Sequence, residues 1–206
     1  DTILWIGIGG SGLGPRVIKE VFEGAGTPEL IILDTIDPAI LLEERKLIDW
    51  RHSLLVVASK SGERLEPMSL FFLLLDELRS ALGERAASRV VVITDPAEGL
   101  LREIALREGY ASLPIAPGIG GRYSIFTPIG LFPLALLGAD LGAFVRGAKD
   151  VDTACQALEL ETNPAALLAA VQYLLDVRRN YVIRVIMPYA TRLQSFRTQV
   201  SAPHAV

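Results

Sequence analysis

The sequence predicts an α/β protein built on a doubly wound parallel sheet, with helices on both faces in a three-layer α/β/α arrangement. Short, almost wholly apolar segments rich in β-branched residues alternate along the chain with longer helical segments. Continuously apolar strands are typical of parallel sheets that are covered on both faces. Loops rich in glycine and serine follow the first and third strands, at the sheet edge where such proteins bind ligands.

Six segments have strand character because they are short, apolar and bounded by turn-forming residues. The predicted strands are residues 3–8, 30–33, 54–58, 89–94, 111–114 and 181–187. Helical periodicity accounts for most of the chain between them. The predicted helical segments are residues 13–22, 38–48, 66–82, a segment from Pro96 to about Arg107, 124–179 with a helix start at Asn163, and 189–200.

Composition excludes several classes of function. The chain has 206 residues, with 20 Lys and Arg against 24 Asp and Glu, and its net charge of -4 gives no basic field for nucleic acid. The longest apolar stretch, residues 129–145, is interrupted by Pro133 and Asp140 and is shorter than the roughly 20 residues of a membrane span. We therefore expect no nucleic-acid partner and no membrane insertion.

Cysteine and histidine are too scarce for a disulfide framework or a metal centre. Cys155 is the single cysteine, and His52 and His204 are the two histidines. We expect no metal, and a cytoplasmic location because nothing resembles a signal peptide. The mean hydropathy of +0.39 is high for a domain of this size, so part of the surface is expected to be covered by further chain or by a second subunit.

Three loops carry the candidate chemistry. Residues 7–12 read GIGGSG and satisfy the dinucleotide pattern G-x-G-x-x-G, with Asp34 placed where a ribose-binding carboxylate would lie. The same glycines also suit a tight strand-to-helix turn with no ligand. A serine hydrolase elbow is excluded because Leu13 stands where its second glycine is required.

The second loop, residues 59–62, reads SKSG between an apolar strand and a long helix. Hydroxyls, a lysine and backbone N–H groups at a helix N-terminus favour binding of a phosphate. A helix cap with a solvated lysine is the alternative. In the third loop, residues 118–124, paired glycines precede Arg122, which either reaches a ligand or pairs with a surface carboxylate.

Together the three loops resemble the glucose-6-phosphate isomerase family, whose sugar-isomerase (SIS) fold carries them in this order. Residues 7–15 read GIGGSGLGP, residues 59–66 read SKSGERLE, and residues 120–124 read GGRYS. Asn163-Pro164 and Pro188-Tyr189 are also similar to the family. The resemblance implies a cofactor-free aldose–ketose isomerase that converts glucose-6-phosphate to fructose-6-phosphate through an enediolate.

The resemblance also implies roles for single residues. Gly10 and Ser11 would approach the sugar and its phosphate. Ser59, Ser61 and the backbone of Lys60 would hold the phosphate.

Further roles follow for the later parts of the chain. Arg122 would be catalytic by stabilising the enediolate. Gln199 matches a glutamine that touches the ligand four positions before the family's catalytic glutamate, but Pro203 stands at that fourth position. Glu63 and Arg64 replace a family threonine, and Arg64 becomes a candidate phosphate donor.

The resemblance predicts one SIS domain over residues 1–206, with 163–206 beginning the connection to a second, absent SIS subdomain. The chain is then a truncated central portion that binds hexose phosphate and is inactive alone, from a protein that is a homodimer when intact. Two alternatives stay open: a non-catalytic SIS module that binds a sugar phosphate, and an NAD-dependent oxidoreductase on a Rossmann domain.

Overall fold

The computed structural model describes residues 1–201, without the side chains of Gln199 and Ser201. The chain divides into two compact units. One contains Asp1–Ala139 and the chain from Pro188 onwards, and the other contains Asp140–Met187. The single domain over residues 1–206 stays a prediction.

A five-stranded parallel sheet forms the centre of the first unit. Its strands are β1 (Thr2–Ile6), β2 (Glu29–Leu33), β3 (Ser53–Ala58), β4 (Val90–Thr94) and β5 (Ala111–Pro114). Their order in the sheet is β2-β1-β3-β4-β5, and Ile3 of β1 is paired with Leu30 on one side and Leu54 on the other. The first five predicted strands are therefore confirmed.

Helices follow the strands in the first unit. They are α1 (Gly10–Phe22), α2 (Pro38–Arg45), α3 (Leu65–Leu82), α4 (Leu100–Glu108) and α5 (Pro128–Leu136). The second unit contains α6 (Leu141–Ala154) and α7 (Pro164–Arg179), and the first unit resumes with α8 (Gln194–Ser201). Four 3₁₀ turns complete the described elements: Trp50–His52, Gly83–Arg89, Gly121–Phe126 and Thr191–Leu193.

The apolar core lies on both faces of the sheet because successive side chains of a strand point to opposite faces. Leu4 and Ile6 belong to a buried cluster that takes side chains from α2, α3 and α4. Ile3 and Trp5, which are also buried, alternate with them and face the layer in which α1 packs against α5. Helices thus cover both faces, and the predicted doubly wound α/β class is confirmed.

The predicted strand at residues 181–187 is wrong. This segment is irregular in the structure, and Ile183 and Val185 are 82% and 70% exposed. A strand requires a neighbour that accepts and donates its backbone hydrogen bonds, and none pairs with these residues in the described part of the second unit. Local β propensity alone does not make a strand.

The long helical region predicted after Ser124 resolves into three separate helices, α5, α6 and α7. Helix α5 is largely buried, with Ile129 at 2% and Leu134 at 0% exposure, so the apolar stretch 129–145 begins inside the core. None of the helices among residues 1–201 combines the length and the apolarity required to cross a membrane.

Candidate active site

The order of the strands creates a crevice beside β1. The chain runs from β1 to β2 on one side, while β3 lies on the other side of β1. Loops that leave the carboxyl ends of β1 and β3 therefore turn in opposite directions, and ligands of doubly wound sheets bind at such a switch point. The loops predicted to bind phosphate are those two.

A cavity of about 710 Å³ lies at this switch point, and we call it the loop cavity. Six residues proposed from the sequence line it: Gly10, Ser11, Ser59, Lys60, Ser61 and Arg64. Ile119, Gly120 and Gly121 of the third loop also line it. Three loops that are distant in sequence thus surround one space.

The first loop begins α1 without a side-chain cap. Gly9 is the N-cap residue, with a φ of 61°, and no side chain accepts a hydrogen bond at this end of the helix. The indole Nε1 of Trp5 donates to the carbonyl of Ser11 at 2.9 Å, which ties the loop to the buried strand β1. The N–H groups of Ser11, Gly12 and Leu13 bond to the carbonyls of Ile8 and Gly9, so in the first turn the N–H of Gly10 is left to donate to an anion.

The second loop is held by bonds that leave donors free. The Oγ of Ser59 accepts from the N–H of Gly62 at 3.2 Å, and the Oγ of Ser61 accepts from the N–H of Glu63 at 3.3 Å. Each hydroxyl keeps its own proton to donate. Among the described residues no hydrogen bond uses the N–H of Lys60 or of Ser61.

Strand β4 fixes the direction of the second loop. The carbonyl of Lys60 accepts from the Oγ1 of Thr94 at 3.0 Å and from the N–H of Asp95 at 3.1 Å. Thr94 is 1% exposed and therefore rigidly placed. These two bonds hold the loop against the core beneath it.

The third loop meets the first by backbone contact. The Oγ of Ser124 donates to the carbonyl of Gly121 at 2.5 Å and lies 3.4 Å from the carbonyl of Gly10. Gly120 and Gly121 line the loop cavity, whereas Arg122, the next residue, is half-buried and does not line it. The proposed catalytic residue is thus adjacent to the cavity in sequence without forming its wall.

Two carboxylates in the loop cavity, those of Asp95 and Glu98, were missed by the sequence analysis. They line it together with Glu63, Lys60 and Arg64, so the ionised side chains of the wall are three negative and two positive. The position of Asp95 directly after β4 was the available signal. An anion here must be attracted chiefly by backbone N–H groups and helix N-termini.

Asp95 has partners of its own. Its Oδ1 accepts from the N–H of Ala97 at 2.9 Å and of Glu98 at 3.3 Å. The bond from Ala97, with the positive charge of Lys60, holds the pKa of Asp95 below its usual value. Asp95 is therefore charged at neutral pH, and its negative charge is partly offset by its own bonds.

Two more helices begin at the loop cavity. Arg64 is the N-cap residue of α3 and Gly99 that of α4, and neither helix has a side-chain cap. Both residues line the cavity. With α1, three uncapped helix N-termini meet there, and their dipoles favour a negatively charged ligand.

Gln199 lies in α8, but its side chain is outside what the structure describes, as are Pro203 and His204. The first turn of α8 is hydrogen-bonded to Glu20 of α1. The N–H of Ser195 donates to Glu20 at 2.7 Å, and the Oγ of Ser195 donates to the same carboxylate.

Asp34, the residue that would bind the ribose of a dinucleotide, is already paired. Its Oδ2 lies 2.6 Å from the Nη2 of Arg16, on the helix that starts with the glycine-rich loop. A ribose hydroxyl would have to compete with this charged bond. Among residues 1–201 no group of three or more His, Cys, Asp or Glu side chains is arranged to hold a metal ion.

Comparisons with known proteins identify the family of this chain. A family model described as phosphoglucose isomerase matches residues 1–202. A glucose-6-phosphate isomerase of Thermus thermophilus is 38% identical over 194 residues, covering 94% of this chain and 45% of the relative. That of Rubrobacter xylanophilus is 36% identical, covering 92% of this chain and 46% of the relative.

Solved structures show the same fold. The crystal structure of a hypothetical protein from Thermus thermophilus matches with a TM-score of 0.87 at 35% identity, over 96% of this chain and 46% of that one. A glucose-6-phosphate isomerase from Chlamydia trachomatis matches with a TM-score of 0.82 at 26% identity, over 97% of this chain and 38% of that one. The chain spans less than half the length of these relatives. Its sequence from residue 1 to residue 202 and the fold of its parallel sheet show that it belongs to the phosphoglucose isomerase family.

Proposed function

We propose that this chain forms the sugar-phosphate-binding part of an aldose–ketose isomerase that interconverts glucose-6-phosphate and fructose-6-phosphate. The observation that carries the proposal is the second loop, where the hydroxyls of Ser59 and Ser61 and the free N–H groups of Lys60 and Ser61 border the loop cavity. Hydroxyl and backbone donors at a helix N-terminus suit a phosphate dianion.

The sugar itself would lie between the first and third loops. Gly10 and Ser11 border the loop cavity on one side, and Gly120 and Gly121 border it on the other. Small residues let a ligand approach the backbone closely. Arg64 supplies the wall with a guanidinium fork, while Glu63 beside it repels a phosphate, so the two oppose each other in setting affinity.

Arg122 is proposed to act when the substrate is bound. A guanidinium near C1 and C2 of the sugar would stabilise the negative enediolate that forms while a proton moves between these carbons. Catalysis would then require the side chain of Arg122 to turn towards the loop cavity, which the neighbouring Gly120 and Gly121 line. Gln199 on α8 is the further proposed ligand contact.

The proton shuttle is the step that this sequence does not supply at the expected position. Pro203 stands four residues after Gln199, where the resemblance implies a glutamate, and proline has no acid–base group. Losing a positioned general base typically costs about 10²–10⁴-fold in rate. We infer that the 206-residue chain binds hexose phosphate without efficient turnover, which is also what a non-catalytic SIS module would do.

Calorimetric binding of glucose-6-phosphate to the 206-residue chain tests the phosphate site. Ser59→Ala/Ser61→Ala is expected to weaken binding by at least about tenfold, since two donors to a charged group are lost. Ser80→Ala/Thr153→Ala is the matched control, because both residues are exposed and each hydroxyl donates to the carbonyl four residues back in its own helix. Equal affinity of the two double variants would overturn the proposal.

Turnover is measured separately, by coupling fructose-6-phosphate conversion to a glucose-6-phosphate readout. Background turnover with intact binding is the expected result. Efficient turnover that is lost on Arg122→Ala would contradict the inferred lack of a base and support the role of Arg122. NADH binding by fluorescence, if found, would favour the oxidoreductase alternative instead.

A further inference from the structure

A second cleft lies at the opposite edge of the sheet from the loop cavity. Its volume is about 700 Å³, and it is bordered by Arg51, His52, Arg85, Ser88, Arg89 and Leu82. Arg51 and His52 directly precede β3, and Arg89 directly precedes β4. Because both strands are parallel, these residues mark the amino-terminal edge of the sheet, and we call the space the basic cleft.

The three arginines of the basic cleft have no carboxylate partner. Within the described residues, no Asp or Glu oxygen lies within 4.0 Å of the guanidinium of Arg51, Arg85 or Arg89. Arg16 and Arg79 do have such partners, whereas Arg178 and Arg179, among the described residues, do not. At this edge of the sheet, three guanidinium groups without an ion pair border one cleft.

The carboxylates nearest in sequence form no ion pair with the three arginines. Asp49 accepts from the N–H of Arg51 at 3.0 Å and pairs with the Nδ1 of His52 at 2.8 Å, which shapes the turn, and its charge attracts the guanidinium of Arg51 from a longer distance. Glu84 borders a different cleft, with Arg79 and Glu108. The Oγ of Ser88 donates to the carbonyl of Arg85 at 2.8 Å, which fixes the 3₁₀ turn that carries two of the arginines.

A role in neutralising the helix dipole does not account for this cluster. Cations stabilise the last turn of a helix, and Arg79 already occupies that position in α3. Arg51 belongs to another element, and Arg89 lies seven residues beyond Leu82, where the dipole effect has decayed. Three like charges around one cleft repel each other, and a bound anion removes that repulsion.

We propose that the basic cleft binds an oligophosphate anion, the group shared by inorganic pyrophosphate and nucleoside diphosphates. Guanidinium forks match phosphate oxygens bidentately, and three of them suit two or more linked phosphates better than one. The cleft is separate from the loop cavity, since no residue borders both. This binding does not depend on the proposed isomerase function.

Titration calorimetry of the 206-residue chain with pyrophosphate, and separately with ADP, tests the proposal at about 0.1 M salt, where non-specific attraction is screened. Arg85→Ala/Arg89→Ala is expected to weaken pyrophosphate binding by at least about tenfold, because two charged donor groups are removed. Arg178→Ala/Arg179→Ala is the matched control. It removes the same charge from two exposed positions on α7 that also form no ion pair among the described residues, and a change of less than about twofold is expected there.

Two further variants test whether the anion binds in the basic cleft or in the loop cavity. Arg51→Ala, on a different 3₁₀ turn, is expected to weaken binding independently of any effect on the Gly83–Arg89 turn. Ser59→Ala/Ser61→Ala is expected to leave pyrophosphate binding unchanged. Loss of binding in that variant would assign the anion to the loop cavity and overturn the proposal.

Two further results would also overturn the proposal. One is that neither pyrophosphate nor ADP binds saturably. The other is that both double arginine variants weaken pyrophosphate binding equally, which would show that binding depends on the net charge of the chain alone. Equal affinities for pyrophosphate and ADP would support recognition of the phosphates only. Tighter binding of ADP, with the same response to Arg85→Ala/Arg89→Ala, would support a nucleoside diphosphate as the occupant.

Discussion

Gly10 and Gly121 bring two distant loops together because neither has a side chain. A Cβ built on Gly10 would lie 2.4 Å from the carbonyl carbon of Gly121 and 2.5 Å from its Cα. Real Cβ atoms do not approach backbone so closely, so the two loops would have to separate. The glycine in GIGGSG is required here by a tertiary contact as well as by the turn.

Gly10→Ala is expected to lower the free energy of unfolding by about 1–3 kcal/mol, the usual cost of overpacking. It should also weaken glucose-6-phosphate binding by at least about tenfold, because the wall of the loop cavity is displaced. Chemical denaturation and calorimetry measure the two effects.

Gly120→Ala is the control for this prediction. Its Cβ would meet only the Cδ2 of Tyr123, at 3.6 Å, which is an ordinary contact, although Gly120 borders the same cavity. A loss of stability in Gly120→Ala as large as in Gly10→Ala would contradict the steric explanation.

The structure gives a second reason for a glycine at position 62, in addition to the one predicted from the sequence. The SKSG pattern predicts a glycine that lets backbone donors wrap a phosphate. In the structure Gly62 has a φ of +67°, and its Cβ would lie 2.2 Å from the Cβ of Leu101. The close packing of α4 against the loop depends on residues 39 positions apart and is not visible in the local sequence.

At the scale of elements, helix α8 is attached to α1 through one carboxylate. Glu20 of α1 accepts from the N–H and the Oγ of Ser195, in the first turn of α8. A carboxylate at a helix N-terminus satisfies unpaired N–H groups and complements the dipole. Helix α1 begins at the loop cavity, so a bond that fixes α8 on α1 also fixes the position of α8 relative to that cavity.

Glu20→Ala is expected to speed hydrogen exchange of the α8 backbone amides by about tenfold, since loss of a cap costs about 0.5–2 kcal/mol of helix stability. Glu23→Ala, at the C-cap position of α1, is the matched control, because that carboxylate accepts from the N–H of Leu30 in β2 instead. Equal acceleration of α8 exchange in both variants would show that Glu20 is not the anchor.

The segment 181–187 shows the limit of prediction for an element. Its content of β-branched Val and Ile is as strand-like as that of β3, yet β3 has neighbours on both sides and the segment has none among the described residues. An apolar run shows which side chains prefer burial, whereas strand formation depends on a partner elsewhere in the chain or on another chain.

At the scale of the whole molecule, apolar surface is concentrated in the second unit. Helix α7 buries none of its residues, and Leu168, Leu174 and Val177 are each more than half exposed. Such extensive apolar exposure is unusual for a monomer. The sequence predicts cover by further chain or by a second subunit, and a second copy of the chain is the cover proposed here, in line with the homodimer expected from the sequence.

The chain is expected to self-associate at micromolar to millimolar concentration, as measured by light scattering with size-exclusion chromatography. Ile183→Lys/Val185→Lys should weaken association by at least about tenfold, because burying each of these side chains contributes about 1.5–3 kcal/mol. Their exposure, 82% and 70%, means that the fold itself should be unaffected.

Leu158→Lys is the control for association, since Leu158 is 97% exposed in the same unit, outside α7 and the segment 181–187. A monomer at all concentrations would contradict the prediction. So would equal effects of Leu158→Lys and Ile183→Lys/Val185→Lys.

The sequence by itself determined the class of the sheet, the first five strands and the two loops after β1 and β3, because apolar runs and Gly/Ser turns are local signals. Only the tertiary structure decided that β1 lies between β2 and β3, which makes those loops neighbours at a switch point. It also decided that Asp95 and Glu98 enter the loop cavity, that Arg122 stays outside its wall, and that Asp34 is paired with Arg16. Strand order and the contacts of a loop depend on residues far apart in the chain, and no local pattern encodes them.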